Sequence, residues 1–285
     1  MVLDVWFTEK HENKQALSLR VKEVLYSGQS EFQKIDVIDT EAYGKVLLLD
    51  GLVMTTEKDE FFYHEMISHM PLLAHPNPEK VLVIGGGDGG TIREVLKHPS
   101  VKEIVLCEID RKVIEVSKQF FPAIAGQIDN PKVKIHIEDA VEYIKAQKNC
   151  FDVVLIDSTD PLGPGVGLFT EEFYTNVRES LNENGVMAAQ TESPIVCQKE
   201  FKLINSLLNK VFKIVKPYFA PVPTYPGAYW SWTFCSETVE PEIKNKDLAA
   251  ELETSSKYYN REIYKAVLAV PNYVKELINS RKSVK

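Results

Sequence analysis

Residues 81–90 read VLVIGGGDGG: four apolar residues run into five glycines interrupted only by Asp88. An apolar run that stops at a glycine-rich turn and enters a helical stretch (TIREVLKHP) fits the first strand, turn and helix of an α/β domain. In such a turn the backbone comes close to a ligand. The carboxylate in the middle of the turn is the unusual part. A pyrophosphate about 4 Å from it would meet a like charge, at a cost of roughly 4 kcal/mol for an effective dielectric near 20. A cation would gain a comparable attraction. Asp is also a common helix cap, and the two roles are compatible.

The stretch after the turn repeats the same rhythm. Apolar runs EIVLC (103–107), KVKIHI (132–137), DVVLI (152–156) and GVMAAQ (185–190) alternate with RKVIEVSKQFFP, DAVEYIKAQ and EEFYTNVRESL. Runs rich in Val and Ile, separated by helices, predict a buried parallel sheet with helices on both faces. Two further strands are expected near 211–217 and 228–235, and a charged helical tail from about 240. Ahead of the sheet, ALSLRVKEVLY, FQKIDVIDT and KVLLLDGLVMTTE alternate in strand fashion, and Asp50-Gly51 is a hairpin signal. The expected fold class is therefore α/β: a doubly wound Rossmann-like (class I methyltransferase-like) sheet with a small N-terminal antiparallel β domain. Residues 1–60 form the β domain, and residues 61–285, entered through a helix near 60–73, form the catalytic domain. DPLGPGVGLFT (160–170) is too irregular for helix or strand and reads as a loop over the site that orders when ligands bind.

Composition narrows the partners. The formal charge of −8, from 41 acidic and 33 basic residues, argues against nucleic acid, whose binding rests on phosphate neutralisation. The four cysteines are far apart and the six histidines form no HxxxH pair, so no metal site is expected. The opening MVLDVWFTEKHENK lacks the apolar core of a signal peptide, and no apolar run approaches a membrane span. A cytoplasmic protein without a membrane partner is the expectation.

Five polar places follow or end predicted strands: the GGGDGG turn, Glu108, Asp139, the DSTDP stretch at 157–161, and Gln190-Thr191-Glu192. In open α/β sheets ligands bind beyond the carboxyl ends of the strands, so all five should meet in one crevice. Glu108 lies about twenty residues past the turn, where an acid accepts hydrogen bonds from ribose hydroxyls. Together with Asp88 this selects a nucleoside with a cationic tail, such as an S-adenosyl sulfonium compound, over a dinucleotide. Ordinary methyltransferases of this fold carry their acid two positions before the first glycine, here Val83. The shift of the acid into the turn implies a different tail.

Read in order, GGGDGGTIREVLKHPSV, CEIDRKVIEVSKQF, FDVVLIDSTDPLGP, LFTEEFY and PTYPG closely resemble the polyamine aminopropyltransferases of the bacterial spermidine synthase type, over roughly residues 5–238. The resemblance implies transfer of the aminopropyl group of decarboxylated S-adenosylmethionine to putrescine, giving spermidine and S-methyl-5′-thioadenosine. The nucleoside is then a co-substrate rather than a cofactor, and a homodimer or homotetramer is implied. By matching position, Gln33, Glu108, Asp139, Ala140 and Pro164 resemble the nucleoside-binding residues. His64 and Asp88 resemble contacts to the polyamine and the aminopropyl amine, with Tyr63 and Tyr225 as aromatic walls. Asp157 resembles the proton acceptor, within the stretch Asp157, Ser158, Thr159 and Asp160 that holds the diamine. The family has Tyr-Gln or Tyr-His at 63–64, and this chain has Tyr-His.

The chemistry asks for these groups. An alkylamine has a pKa near 10.4, so deprotonating the nucleophile at pH 7 costs about 4–5 kcal/mol, which a carboxylate at hydrogen-bond distance offsets. Asp160 and Glu192 are candidate anchors for the far amine, and Trp230 is either a channel wall or core packing. Alternatives are a putrescine N-methyltransferase or a different amine acceptor. A nicotinamide-linked dehydrogenase is disfavoured by Asp88, and a silent polyamine binder would lack Asp157.

Overall fold

The computed structural model describes residues 4–11, 15–161 and 163–279, without the side chains of residues 163 and 164. Strands β1 (Val5–His11), β2 (Gln15–Gln29), β3 (Lys34–Thr40), β4 (Gly44–Leu49) and β5 (Leu52–Thr56) form an antiparallel sheet in chain order. At the β4–β5 turn both Asp50 and Gly51 have positive φ, 49° and 80°. A type I′ hairpin requires that backbone, and Asp-Gly adopts it readily. The Asp50 carboxylate also accepts the Lys34 N–H at 2.8 Å. β1 had not been expected as a strand: VWFTEKH alternates only weakly and pairs with β2 alone, at the sheet's edge.

Helix α1 (Glu60–Ala74) leads to the second sheet and is tied down along its length. Asp59, just before it, accepts from the Thr56 hydroxyl at 2.6 Å and from the Thr224 N–H and hydroxyl at 3.0 and 2.8 Å. The buried Glu65 carboxylate accepts the N–H groups of Lys257, Tyr258 and Tyr259 at 2.7–2.8 Å. Charged acceptors with several donors are the stronger class of hydrogen bond. They hold rigid the helix that carries Tyr63 and His64.

The second sheet has seven strands: β6 (Lys80–Gly85), β7 (Glu103–Glu108), β8 (Val133–Ile137), β9 (Phe151–Asp157), β10 (Leu181–Gln190), β11 (Ile214–Ala220) and β12 (Trp230–Ser236). Their order is β11-β12-β10-β9-β6-β7-β8. Six strands run in one direction, and β12 alone runs against them, antiparallel to both β10 and β11. The sheet is thus mixed rather than wholly parallel. Residues 221–229, which join β11 to β12, hold no crossover helix, and a short return of that kind gives an antiparallel partner.

Helices α2 (Gly90–Val95), α3 (Arg111–Phe120), α4 (Pro122–Ala125), α5 (Ala140–Lys145), α6 (Glu171–Ser180), α7 (Gln198–Val211), α8 (Lys246–Ser255), α9 (Arg261–Ala266) and α10 (Asn272–Asn279) complete the fold. Along β6, Val81 and Val83 enter one core with α1, α2, α8 and α9, while Leu82 and Ile84 enter another with α5, α6 and α7. Burial on both faces is why the run VLVI shows no polar alternation. A third core joins Ile35, Val37, Leu47 and Leu49 of the N-terminal sheet to Val113, Val116, Phe121 and Ile124 of the α3–α4 region. The stretch 160–170 is not wholly irregular: residues 163–168 form a 3₁₀ turn. β6 has β9 on one side and β7 on the other, so chain connections diverge there and a crevice opens at the strands' carboxyl ends.

Candidate active site

That crevice holds about 1230 Å³ of space, its open mouth included. The glycine turn, Glu108, Asp139 with Ala140, residues 157–160 and Gln190 all line it, as do Gln33, Tyr63, His64, Tyr225 and Trp230. The side chain of Pro164 lies outside the described residues. Glu192 does not line the cleft but stands behind Asp160, to which its carboxyl is hydrogen-bonded.

The glycines are required by the protein's own side chains. A Cβ at Gly86 would sit 2.7 Å from the Asp157 carboxylate, at Gly87 2.9 Å from that of Glu108, and at Gly90 2.2 Å from the His64 ring. At Gly85 it would meet the Asp157 carbonyl oxygen at 2.2 Å, and here φ is +75° as well. The turn is bare so that two carboxylates and an imidazole converge on it.

Of the two roles expected of Asp88, the structure shows the cap at the start of α2 and adds an ion pair with His64. One oxygen accepts the Gly90 N–H at 2.9 Å, capping α2, and the other lies 3.2 Å from His64 Nε2. His64 Nδ1 is 2.6 Å from Glu60. A carboxylate at each nitrogen favours the doubly protonated ring. Burial opposes that charge, but Asp88 and Glu60 outweigh it and keep the His64 pKa well above the ordinary histidine value. Burial also pushes Asp88 up, yet His64 wins and holds it below the usual carboxylate range.

Asp157 goes the other way. Burial, then the charge of Asp88, raises its pKa against the opposing effects of His64, Thr91 and Tyr63. Its Oδ2 accepts the Thr91 hydroxyl at 2.6 Å. Adjacent carboxylates pushed apart in this way take different roles, and Asp157 is the better proton acceptor. One ligand atom each of His64, Asp88 and Asp157 lies within 4.8 Å of the others, and the two imidazole nitrogens face Asp88 and Glu60.

At one end of the cleft the buried Glu108 accepts the Asp110 N–H at 2.9 Å, and burial lifts its pKa to about 7. Asp110 caps α3 through the Lys112 N–H at 2.9 Å and accepts from Gln33 Nε2 at 3.0 Å and Ser30 Oγ at 2.6 Å. These bonds pin the segment before β3 to the carboxyl end of β7. Asp139 caps α5 through the Val141 N–H at 2.8 Å and is exposed at the rim, with Ala140 buried beneath.

At the other end Tyr63 packs on Tyr225 with centroids 5.7 Å apart, and Tyr225 meets Trp230 edge-on at 4.9 Å. The Tyr225 hydroxyl donates to the Met54 carbonyl at 2.6 Å. Trp230 is both wall and core: it lines the cleft while 2% exposed. Thr159 accepts at its carbonyl from Gln190 Nε2 at 3.4 Å, while the Ser158 hydroxyl has no partner among the described residues. Beyond them burial raises both Asp160 and Glu192, the latter well above the carboxylate range with the charge of Asp160 adding to the effect.

Glu9 and His11, which the sequence reading passed over, also line the cleft. They are 2.6 Å apart, and Glu9 accepts the Val53 N–H at 3.0 Å while burial lifts its pKa to about 7. Their i, i+2 spacing puts both on one face of a strand. That spacing was the available signal, but only the packing of the two sheets turns the face into the cleft.

Residues 60–247 match the family model of the spermine/spermidine synthase domain, and residues 5–57 match that of the spermidine synthase tetramerisation domain. The chain belongs to the spermine/spermidine synthase family. A polyamine aminopropyltransferase of Alkaliphilus metalliredigens is 47% identical over 284 residues, covering 98% of this chain and 99% of that one. One of Thermoanaerobacter sp. strain X514 is 46% identical over 277 residues, 97% of this chain and 99% of its own. A spermidine synthase in complex with the transition-state analogue AdoDATO superposes with a TM-score of 0.94 at 45% identity, covering 96% of this chain and 94% of the other. The enzyme from Thermotoga maritima gives 0.92 at 44% identity with the same coverage. The aminopropyltransferase resemblance read in the sequence therefore holds, and this family member is an enzyme with the methyltransferase-like fold. Among the described residues no helix is long and apolar enough to cross a membrane.

Proposed function

We propose that the enzyme transfers the aminopropyl group of decarboxylated S-adenosylmethionine to putrescine, forming spermidine and S-methyl-5′-thioadenosine. The observation that carries this reading is the pair of carboxylates at the glycine turn: Asp88 paired with His64 Nε2 at 3.2 Å, and Asp157 lining the cleft beside it with its pKa raised by burial and by Asp88. Glu108, with Gln33, Asp139, Ala140 and Pro164, holds the nucleoside, and the aminopropyl amine lies toward Asp88 and His64. Putrescine lies along Tyr63, Tyr225 and residues 157–160, its far amine in the acidic end formed by Asp160 and Glu9, with Glu192 hydrogen-bonded behind Asp160. The near amine gives its proton to Asp157 and attacks the carbon beside the sulfonium. A C–N bond forms, the C–S bond breaks, and methylthioadenosine leaves with the electron pair. Raising Asp157 narrows the gap to the amine's pKa of about 10.4, each unit being about 1.4 kcal/mol. The donor is a co-substrate and no further cofactor enters this chemistry. Gly165 and Leu168 line the cleft, which supports closure of the 160–170 loop over bound ligands. Trp6, 54% exposed on β1, and the match to a tetramerisation model support assembly as a homo-oligomer through the N-terminal sheet. Mass spectrometry of the products tests the assignment: spermidine is expected, and N-methylputrescine contradicts it.

Glu108 gives the nucleoside end its own test. Ribose hydroxyls donate to the ionised carboxylate, so binding lowers a pKa that stands at about 7 in the free protein and releases a proton. Affinity for methylthioadenosine is therefore expected to rise with pH from 6 to 7, by at most tenfold per unit, and to level off above. Glu108→Gln binds more weakly and loses this slope, with less effect on diamine affinity. Calorimetry in buffers of different ionisation enthalpy reads both. A flat wild-type profile removes Glu108 from the ribose.

A further inference from the structure

The side chains behind His64 have no part in the chemistry above, yet they form a built arrangement. Glu60 and His64 are i, i+4 neighbours on α1, 2.6 Å apart, with side chains 5% and 3% exposed. Arg93 of α2 grips the same Glu60 with two bonds, Nη1 to Oε1 at 2.9 Å and Nη2 to Oε2 at 2.8 Å. Arg93 is held in turn by Glu94 at 2.8 Å. A bidentate Arg–carboxylate pair fixes orientation as well as charge. The ring lies against Gly90, where any side chain would collide with it. Glu60 can therefore neither swing to solvent nor take up a proton easily, and the ring it faces has one orientation, Nδ1 to Glu60 and Nε2 to Asp88.

We propose that Glu60, clamped by Arg93, is a positioning residue that keeps His64 a cation turned toward Asp88, and so leaves Asp157, of the two carboxylates beside His64, the one free to take the amine's proton. The groups facing His64 are Glu60 and Tyr63 on α1, Asp88 in the glycine turn, Asp157 at the end of β9, and Arg93 behind Glu60. Counted as charges, Glu60, Asp88 and Glu94 balance His64, Arg93 and Lys97, which lies 2.6 Å from Glu94, so Asp157 carries the one uncompensated negative charge of the group. Without the charge on Glu60, Arg93 keeps Glu94 but nothing offsets its charge on the side of the ring, and His64 gives up its second proton at a much lower pH. Asp88 then loses its partner and competes for the proton.

The consequence for catalysis rests on the aminopropyltransfer reading, but the charge on His64 is observable without turnover. Nitrogen-15 NMR of the full-length enzyme, with the His64 signals assigned by their loss in His64→Gln, is expected to show both ring nitrogens protonated from pH 6 to 8.5. In Glu60→Gln the same ring should titrate inside that window, and the pH profile of kcat/KM should gain one ionisation that the wild type lacks. A neutral His64 in the wild type at pH 8 overturns the proposal, whether or not the variant folds. So does a variant that loses activity equally at every pH with no new ionisation, the behaviour of a merely structural residue. If His64 is a cation while neither donor yields an aminopropylated product, the functional reading fails and this charge arrangement stands.

Discussion

Asp157→Asn lowers turnover by at least about a hundredfold while the fold and nucleoside binding persist. Asn keeps the shape and can still accept the Thr91 hydroxyl, which lies 2.6 Å from Oδ2, but it takes no proton. Removal of a positioned base typically costs about 10²- to 10⁴-fold. Asp88 cannot substitute as the base, since the ion pair with His64 holds it ionised and lowers its pKa. Steady-state rates at saturating substrates, with methylthioadenosine affinity as a folding control, check this. Near-normal turnover in the pure variant would remove Asp157 from its role.

The second large effect concerns the donor. S-adenosylmethionine carries a carboxylate beside the amine that the decarboxylated donor lacks. In the cleft this group meets Asp88 and Asp157, where like-charge contact costs several kcal/mol at most, enough for a hundredfold preference or more. The structure tempers the effect, because His64 lies 3.2 Å from Asp88 and shares its charge. In Asp88→Asn the imidazolium is left facing the donor with only Glu60 opposing it. The preference is therefore expected to narrow as overall activity falls, read as kcat/KM for both donors in wild type and variant. An unchanged preference would leave Asp88 a helix cap alone.

Much of this was legible from the chain because it depends on local chemistry. Asp50-Gly51 sets a turn by its own backbone preference, and VLVI running into GGGDGG marks a buried strand meeting a crowded turn. The five strand-end groups follow from topology once the alternation of strands and helices is seen. What escaped depends on distant partners. The direction of β12 is set by a short return from β11 rather than by its composition. Glu9 and His11 reach the cleft because the two sheets pack through Leu47 and Leu49 against α3, a contact no local pattern announces. Glu60 and His64 stood at helical spacing in plain view, but their meaning depends on Arg93, 33 residues further on. The glycines were read as space for a ligand, and they also make space for Asp157, Glu108 and His64.

The central claim is that a carboxylate set in the glycine turn selects a purely cationic tail for transfer to a diamine. Competition tests it most directly: purified enzyme, putrescine, and equal concentrations of S-adenosylmethionine and its decarboxylated form, with products resolved by mass spectrometry. Spermidine and methylthioadenosine should exceed N-methylputrescine and S-adenosylhomocysteine by at least about a hundredfold. Methylated putrescine as the main product, or comparable amounts of the two amines, would contradict it.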